Sequence, residues 1–196
     1  MMKFPKHLEI LILLPILFTG GSCDNEEETV KYEGETVISS QIIQKDVNMY
    51  IVYGFSFEKG ENIPYYLTSS SPPDIIVTKL ADFLNDSITG AVLNSPENEE
   101  AFYLNRTDRS YSEAKEWFDN YSEVTATDFI PLADSVELYQ IWTIQTSAGK
   151  FAKLLIKKIE IIRNNPGSVQ DYVDITIDYE YQPDGTRTFR ENRSGN

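Results

Sequence analysis

Apolar and polar residues alternate most regularly near the C-terminus, where Val173, Ile175, Ile177, Tyr179 and Tyr181 are separated by Asp174, Thr176, Asp178 and Glu180. Successive side chains of a strand point to opposite faces. This period of two therefore predicts a strand over 172–181, its apolar set in a core and Tyr172, Asp174, Thr176, Asp178 and Glu180 on a wet face. Just upstream, Leu138 to Thr146 and Phe151 to Ile162 flank Ser147-Ala148-Gly149-Lys150, a tight turn with Gly where a positive φ is wanted. The pair reads as a hairpin whose lysines, Lys150, Lys153 and Lys157, fall on or near a wet face. Asn164-Asn165-Pro166-Gly167-Ser168 breaks the pattern, and Pro183-Asp184-Gly185-Thr186 turns the chain into a last strand over 186–190.

Toward the N-terminus, Met49, Ile51, Tyr53, Phe55 and Phe57 share one side of a strand over 49–57, which Glu58-Lys59-Gly60-Glu61-Asn62 ends. Ser69-Ser70-Ser71-Pro72-Pro73 reads as a loop. Asp74 to Leu80, Ile88 to Leu93 and Ala101 to Asn105 read as shorter strands. One segment has helical spacing: Ser110 with Glu113 three residues on matches a capping box, and Ala114, Trp117, Phe118 and Tyr121 make an apolar stripe that needs a sheet to dock on. The same aromatic residues also fit a ligand box, with a packing face the preferred reading. The elements define an all-β class, an antiparallel meander or β-sandwich-like domain with one short amphipathic helix.

The first residues follow a different logic. Lys3 and Lys6 precede an apolar run from Ile10 to Phe18, then Gly20-Gly21-Ser22 and Cys23, and residues 1–22 read as a signal peptide. The run is about half the roughly 20 residues needed to span a bilayer, and Pro15 interrupts it. Cys23 is the single cysteine, so no intrachain disulfide accounts for it. Either it is an unpaired thiol after an ordinary cleavage site, or the segment is a lipobox and Cys23 carries the lipid. Two or three acyl chains on one residue anchor firmly where one chain does not. Gly20 stands where such a box usually has Leu. The acidic stretch Asp24-Asn25-Glu26-Glu27-Glu28 opens a flexible tether over 23–35, and it resembles the export tag of surface lipoproteins in some Gram-negative bacteria. Residues 36–196 then form a single β domain.

Charge narrows the partners. Taking Lys3 and Lys6 from 17 basic residues and Glu9 from 31 acidic ones leaves the chain from Cys23 onward near −15. Such a protein repels nucleic acid, and it has no basic stripe to offset that. Tyrosine is abundant, 12 residues against 3 Met and 2 Trp, which suits strands and binding surfaces because the ring packs while the hydroxyl stays wet.

The segments Tyr139 to Leu154 and Tyr179-Glu180-Tyr181-Gln182-Pro183-Asp184-Gly185-Thr186 resemble the C-terminal strands of the HmuY-like family of outer-membrane lipoproteins. A turn followed by Lys150-Phe151-Ala152-Lys153 is the more particular part of that likeness, which covers about the last 60 residues. Tyr53-Gly54-Phe55-Ser56-Phe57 and Pro72-Pro73-Asp74-Ile75-Ile76-Val77 are weakly similar to it. The resemblance implies a haem-binding module at the cell surface that passes its ligand to an outer-membrane receptor. Family members that bind haem hold the iron with paired His or Met side chains. Here the sole His, His7, lies in the leader, and Met49 is the only Met beyond it. A two-ligand site cannot be assembled from one chain, which leaves a Tyr ligand or porphyrin packing.

Other chemistry is poorly served. Without a histidine beyond the leader there is no histidine-assisted nucleophile, and zinc lacks its usual ligands. Carboxylate pairs such as Asp82 with Asp86, or Asp174 with Asp178, read as surface rather than as an acid/base pair, and no calcium-loop signature surrounds them. Asp86-Ser87-Ile88 and Asp134-Ser135-Val136 resemble O-glycosylation acceptors, a tripeptide that also arises by chance. The expectation is a non-enzymatic, Cys23-anchored lipoprotein of the outer membrane that binds a small-molecule nutrient, with haem as one ligand. The alternative is a structural or adhesive accessory whose exposed Tyr and Trp contact glycan or protein.

Overall fold

The structure, a computed structural model, describes residues 32–66, 71–82, 84 and 87–189. In chain order the elements are β1 (Glu33–Ser39), β2 (Ile43–Asp46), β3 (Met49–Ser56), β4 (Glu61–Tyr65), β5 (Ile76–Asp82), β6 (Ser87–Asn94), β7 (Phe102–Thr107), α1 (Tyr111–Asn120), β8 (Leu132–Ala133), β9 (Gln140–Gln145), β10 (Phe151–Ile162) and β11 (Tyr172–Gln182). They build three antiparallel sheets: a five-stranded one in the order β1-β11-β10-β9-β7, and two three-stranded ones, β2-β3-β4 and β5-β6-β8. A bridge between Phe55 and Ile75 joins the small sheets edge to edge, with Phe55 N donating to Ile75 O at 2.8 Å. The result is an all-β, sandwich-like domain with one short helix among the described residues.

The core lies between the large sheet and the two small ones. Val173, Ile175, Ile177, Tyr179 and Tyr181 of β11 are all buried there, as their alternation requires, beside Ala152, Leu154 and Ile156 of β10 and Trp142 and Ile144 of β9. Opposite them sit Phe55, Phe57, Ile75, Val77, Ala91 and Leu93. Phe55 meets Tyr179 edge-on with ring centroids 4.7 Å apart, and Phe57 stacks on Tyr181 at 5.9 Å. A β-bulge in β10 shifts the register between Ile156 and Lys158. The extra residue, Lys157, lets Ile159 return to the core side, where plain alternation would have put Lys158.

Several elements differ from the sequence expectation. β1 begins at Glu33, bringing residues 33–35 of the expected tether into register with β11. β2, β4 and β8 are short strands that the pattern did not mark. The last strand expected over 186–190 reduces, within the described residues, to a bridge between Thr188 and Glu123. Most consequential, the outward face of β10 and β11 is not wet along its whole length: Tyr172, Glu180 and Lys153 are buried, whereas Lys157, Asp174, Thr176 and Asp178 are half-buried. Asn165 Nδ2 donates to the Tyr172 hydroxyl at 2.8 Å, and α1 with the chain after it covers Glu180 and Lys153. Cys23, the acidic run after it, Ser69, Ser70 and Asp86 lie outside the described residues. No described helix is long and apolar enough to cross a membrane.

Candidate functional site

The helix carries two stripes with different work. Ser110 caps its N-terminus, the side-chain oxygen accepting from Glu113 N at 3.4 Å. Ala114, Phe118 and Tyr121 face the large sheet and are buried, against Ile141 and Leu155 or against Phe151 and Phe189. Trp117, expected in that stripe, is only partly buried. It belongs also to a second stripe, Glu113, Glu116, Trp117 and Asn120, whose spacing of three, four and seven places it along one side of the helix. Tyr121 stacks on Trp117 with centroids 4.6 Å apart.

Beneath the helix end, Lys153 ties sheet to helix. Its side chain is 1% exposed, and its ammonium donates to Phe118 O and Tyr121 O at 2.8 Å and pairs with Glu180 Oε2 at 2.8 Å. An ammonium has three donor hydrogens, and each has an acceptor. Two of those acceptors are carbonyls at the C-terminal end of the helix: Tyr121 O, just past the last turn, and Phe118 O, which also accepts from Tyr121 N at 3.3 Å. The rings of Phe118 and Phe189 lie 4.7 and 5.1 Å from the nitrogen. Burial lowers the Lys153 pKa, and the Glu180 carboxylate works against that shift. Val124, Ala126 and Phe189 close the part of this outer face beside Tyr121 and Phe151, with Arg187 Nε donating to Val124 O at 2.8 Å.

The second helix stripe forms one wall of an open groove of about 650 Å³, and the end of β7 with the connection to α1 forms the other. Its lining residues are Arg106, Thr107, Asp108, Arg109, Glu113, Glu116, Trp117 and Asn120. A register shift in β7 between Leu104 and Arg106 sends Asn105 Nδ2 to Thr143 Oγ1 at 2.9 Å and re-aims the residues that follow. Arg106 pairs with Asp108 Oδ1, and its guanidinium stands over Trp117, 5.6 Å from the ring centroid. Asp108 Oδ2 is buried and has no hydrogen-bond partner. Donors, acceptors and an aromatic ring thus converge on one open surface. Its two arginines and three carboxylates nearly balance.

The residues singled out from sequence are scattered. Ser87 opens β6 and lines a smaller groove of about 260 Å³ with Lys79 and Asp171, whereas Ser135 is exposed in a left-handed conformation (φ 53°). Asp174 and Asp178 share the outer face of β11, but Asp178 is occupied by Lys157 at 3.0 Å and by the Tyr111 hydroxyl at 3.2 Å. Met49 is 45% exposed on β3. The β7–α1 groove contains no His, Met or Tyr, so it offers none of the iron ligands the resemblance implies. Among the described residues no cluster of three or more His, Cys, Asp or Glu is placed to hold a metal. Sequence reasoning missed Arg106, Asp108 and Arg109, and preferred a packing face over a ligand box for Trp117. The signal within reach was the spacing 113, 116, 117, 120, a second helical stripe flanking the apolar one.

Fold and groove together define a sandwich-like β domain with a helix-walled surface cleft. No protein-family model matches the chain, and no curated protein matches it.

Proposed function

We propose that this chain is a surface lipoprotein, anchored through Cys23, whose β domain is a non-catalytic ligand-binding module. The observation that carries the binding role is the groove: a partly exposed Trp117 and the unpaired Asp108 Oδ2, held on a strand end and a helix that Lys153 latches to the sheet. Ligand sites combine apolar contact with placed polar groups, and this groove is weighted to the polar side, with one aromatic ring among seven polar residues. The anchoring role is supported by the apolar leader, the small residues before Cys23 and the acidic run after it. The resemblance to HmuY-like lipoproteins supports nutrient capture and delivery to an outer-membrane receptor.

Haem is the ligand that resemblance implies, and the groove does not favour it. A haem site in this chain rests on a Tyr, on Met49 with an outside ligand, or on packing alone. Haemin added to the monomer is then expected to bind weakly, without a low-spin six-coordinate spectrum, and that spectrum would contradict this reading. Anchoring is tested separately: Cys23→Ala should release the protein from membranes into the soluble periplasmic fraction, and unchanged membrane retention would refute lipidation at Cys23.

A further inference from the structure

We propose that the groove between β7 and α1 binds a neutral saccharide, with the Trp117 indole as its apolar contact and Asp108, Glu116 and Asn120 as its hydroxyl partners. This rests on the binding-module reading above and names the ligand class for its site. A sugar ring presents a C–H face together with vicinal hydroxyls that each donate and accept. The groove offers the complement, an indole beside alternating donors and acceptors.

Charge selects against the other classes. An anion entering here meets Asp108, Glu113 and Glu116 on a chain of net charge −14. A cation meets Arg106 and Arg109. An apolar ligand strips water from all five charged groups and returns no hydrogen bonds, which is costly. A neutral polyol satisfies both signs at once.

Asp108 and Arg106 give the site its unfinished character. The Asp108 side chain is 5% exposed, with Oδ1 on the Arg106 guanidinium and Oδ2 buried without a partner. A buried acceptor left without a donor is destabilising, and a hydroxyl brought to it relieves that cost. Arg106, by contrast, is 42% exposed and lies over the Trp117 ring. Outward rotation of this one side chain uncovers the indole and opens the way to the Asp108 carboxylate together. Arg106 therefore stands, in the free protein, where the saccharide sits in the complex.

The protein supplies its own probe. Trp117 and Trp142 are its two tryptophans, and Trp142 is 2% exposed in the core with its ring N–H donating to Gln140 Oε1 at 3.0 Å. A sugar-dependent change in tryptophan emission therefore reports on Trp117. Titration with maltohexaose, cellohexaose, xylohexaose and mannohexaose is expected to give a saturable change with at least one. Trp117→Ala, which removes the probe, is read by isothermal titration calorimetry with the sugar that binds, and should abolish the binding heat. Because Trp117→Ala also removes packing, Asn120→Ala and Glu116→Ala on the exposed rim provide the fold-neutral arm: each should weaken affinity by a factor on the order of ten, about 1.4 kcal/mol, at an unchanged melting temperature. No saturable change with any of the four sugars at millimolar concentration overturns the saccharide assignment, as does binding that Trp117→Ala leaves intact. A melting shift with haemin, together with no saturable response to any of the sugars, would overturn the groove's saccharide assignment while preserving the binding-module reading. No shift with haemin or any sugar would overturn both.

Discussion

Lys153 and Leu154 are neighbours on β10 and point to opposite faces of the same sheet, yet both are fully buried. The inner face, around Leu154, is an ordinary apolar interior in which two sheets meet over Val173, Ile175 and Ile177. The outer face, around Lys153, is closed by a helix, a few side chains and one ion pair. The inner face is held by area removed from water, which any apolar residue of similar volume supplies. The outer face depends on a particular set of acceptors around one ammonium, and there the cost of disruption lies in what is left unpaired. The groove sits on this second face, walled by the helix that Lys153 holds.

The largest expected effect breaks that latch. Lys153→Met removes the cation, leaves Glu180 uncompensated in the interior and strips two donors from the helix end. Losing one partner of a buried pair typically costs about 3–5 kcal/mol. Leu154→Ala, one residue away on the inner face, should cost about 2–5 kcal/mol through the cavity it leaves. Denaturant melts of the two variants check this. Were the outer face wet, Lys153→Met would fall within the roughly 0.5 kcal/mol typical of surface substitutions. Glu180→Leu added to Lys153→Met should recover part of the loss, because an apolar pair carries no unpaired charge.

The contrast between the faces also marks what the sequence made legible. The alternation in β11 identified every inner-face residue from Val173 to Tyr181, because a period of two specifies which side chains share a face. It does not specify what covers the other face. Two signals bore on that question. The stripe of Ala114, Phe118 and Tyr121 needed an apolar surface, and the run Phe151-Ala152-Lys153-Leu154-Leu155-Ile156 lacks alternation, as strands buried on both sides do. Lys153 read as wet because a lysine is almost never fully buried unless paired, and its partners, Glu180 and two helix carbonyls, are distant in sequence. The groove was hidden for the same reason. Arg106, Asp108 and Arg109 are unremarkable loop-end residues until the turn into α1 sets them beside Trp117.

A smaller effect distinguishes the helix stripes. Full burial of Trp117 would make truncation cost about 3–5 kcal/mol. Its partial exposure brings the expected loss for Trp117→Ala to about 1–2 kcal/mol, by the area it removes from water. Phe118→Ala, on the buried stripe, should cost more than Trp117→Ala in the same melting experiment, and the reverse order would mean the two stripes are wrongly assigned.

The smallest effect lies at the rim of the inner face and appears as pH dependence. Asp74 Oδ2 accepts from Phe57 N at 2.8 Å, and burial, with the Glu58 charge adding to it, raises the Asp74 pKa above 3.8. The folded protein thus keeps this proton at pH values where the unfolded chain has lost it. The group's stabilising contribution is full below the unfolded pKa of 3.8 and is lost as pH rises through the folded pKa. Asp74→Asn, whose amide oxygen can accept the same hydrogen bond, should flatten the pH–stability profile in that mildly acidic window. An identical profile in the variant would show that Asp74 does not titrate differently on folding.

The most direct measurement of the two-faced interior uses the unmodified protein. Brief acetylation of native lysines, read by mass spectrometry, compares Lys153, 1% exposed, with Lys158, 59% exposed, five residues farther along the same strand. Lys153 should stay unmodified until the protein is unfolded, while Lys158 reacts at the rate of a surface lysine. Reaction of Lys153 at the rate of Lys158 in the native protein would contradict the helix-covered face and, with it, the latched wall of the groove.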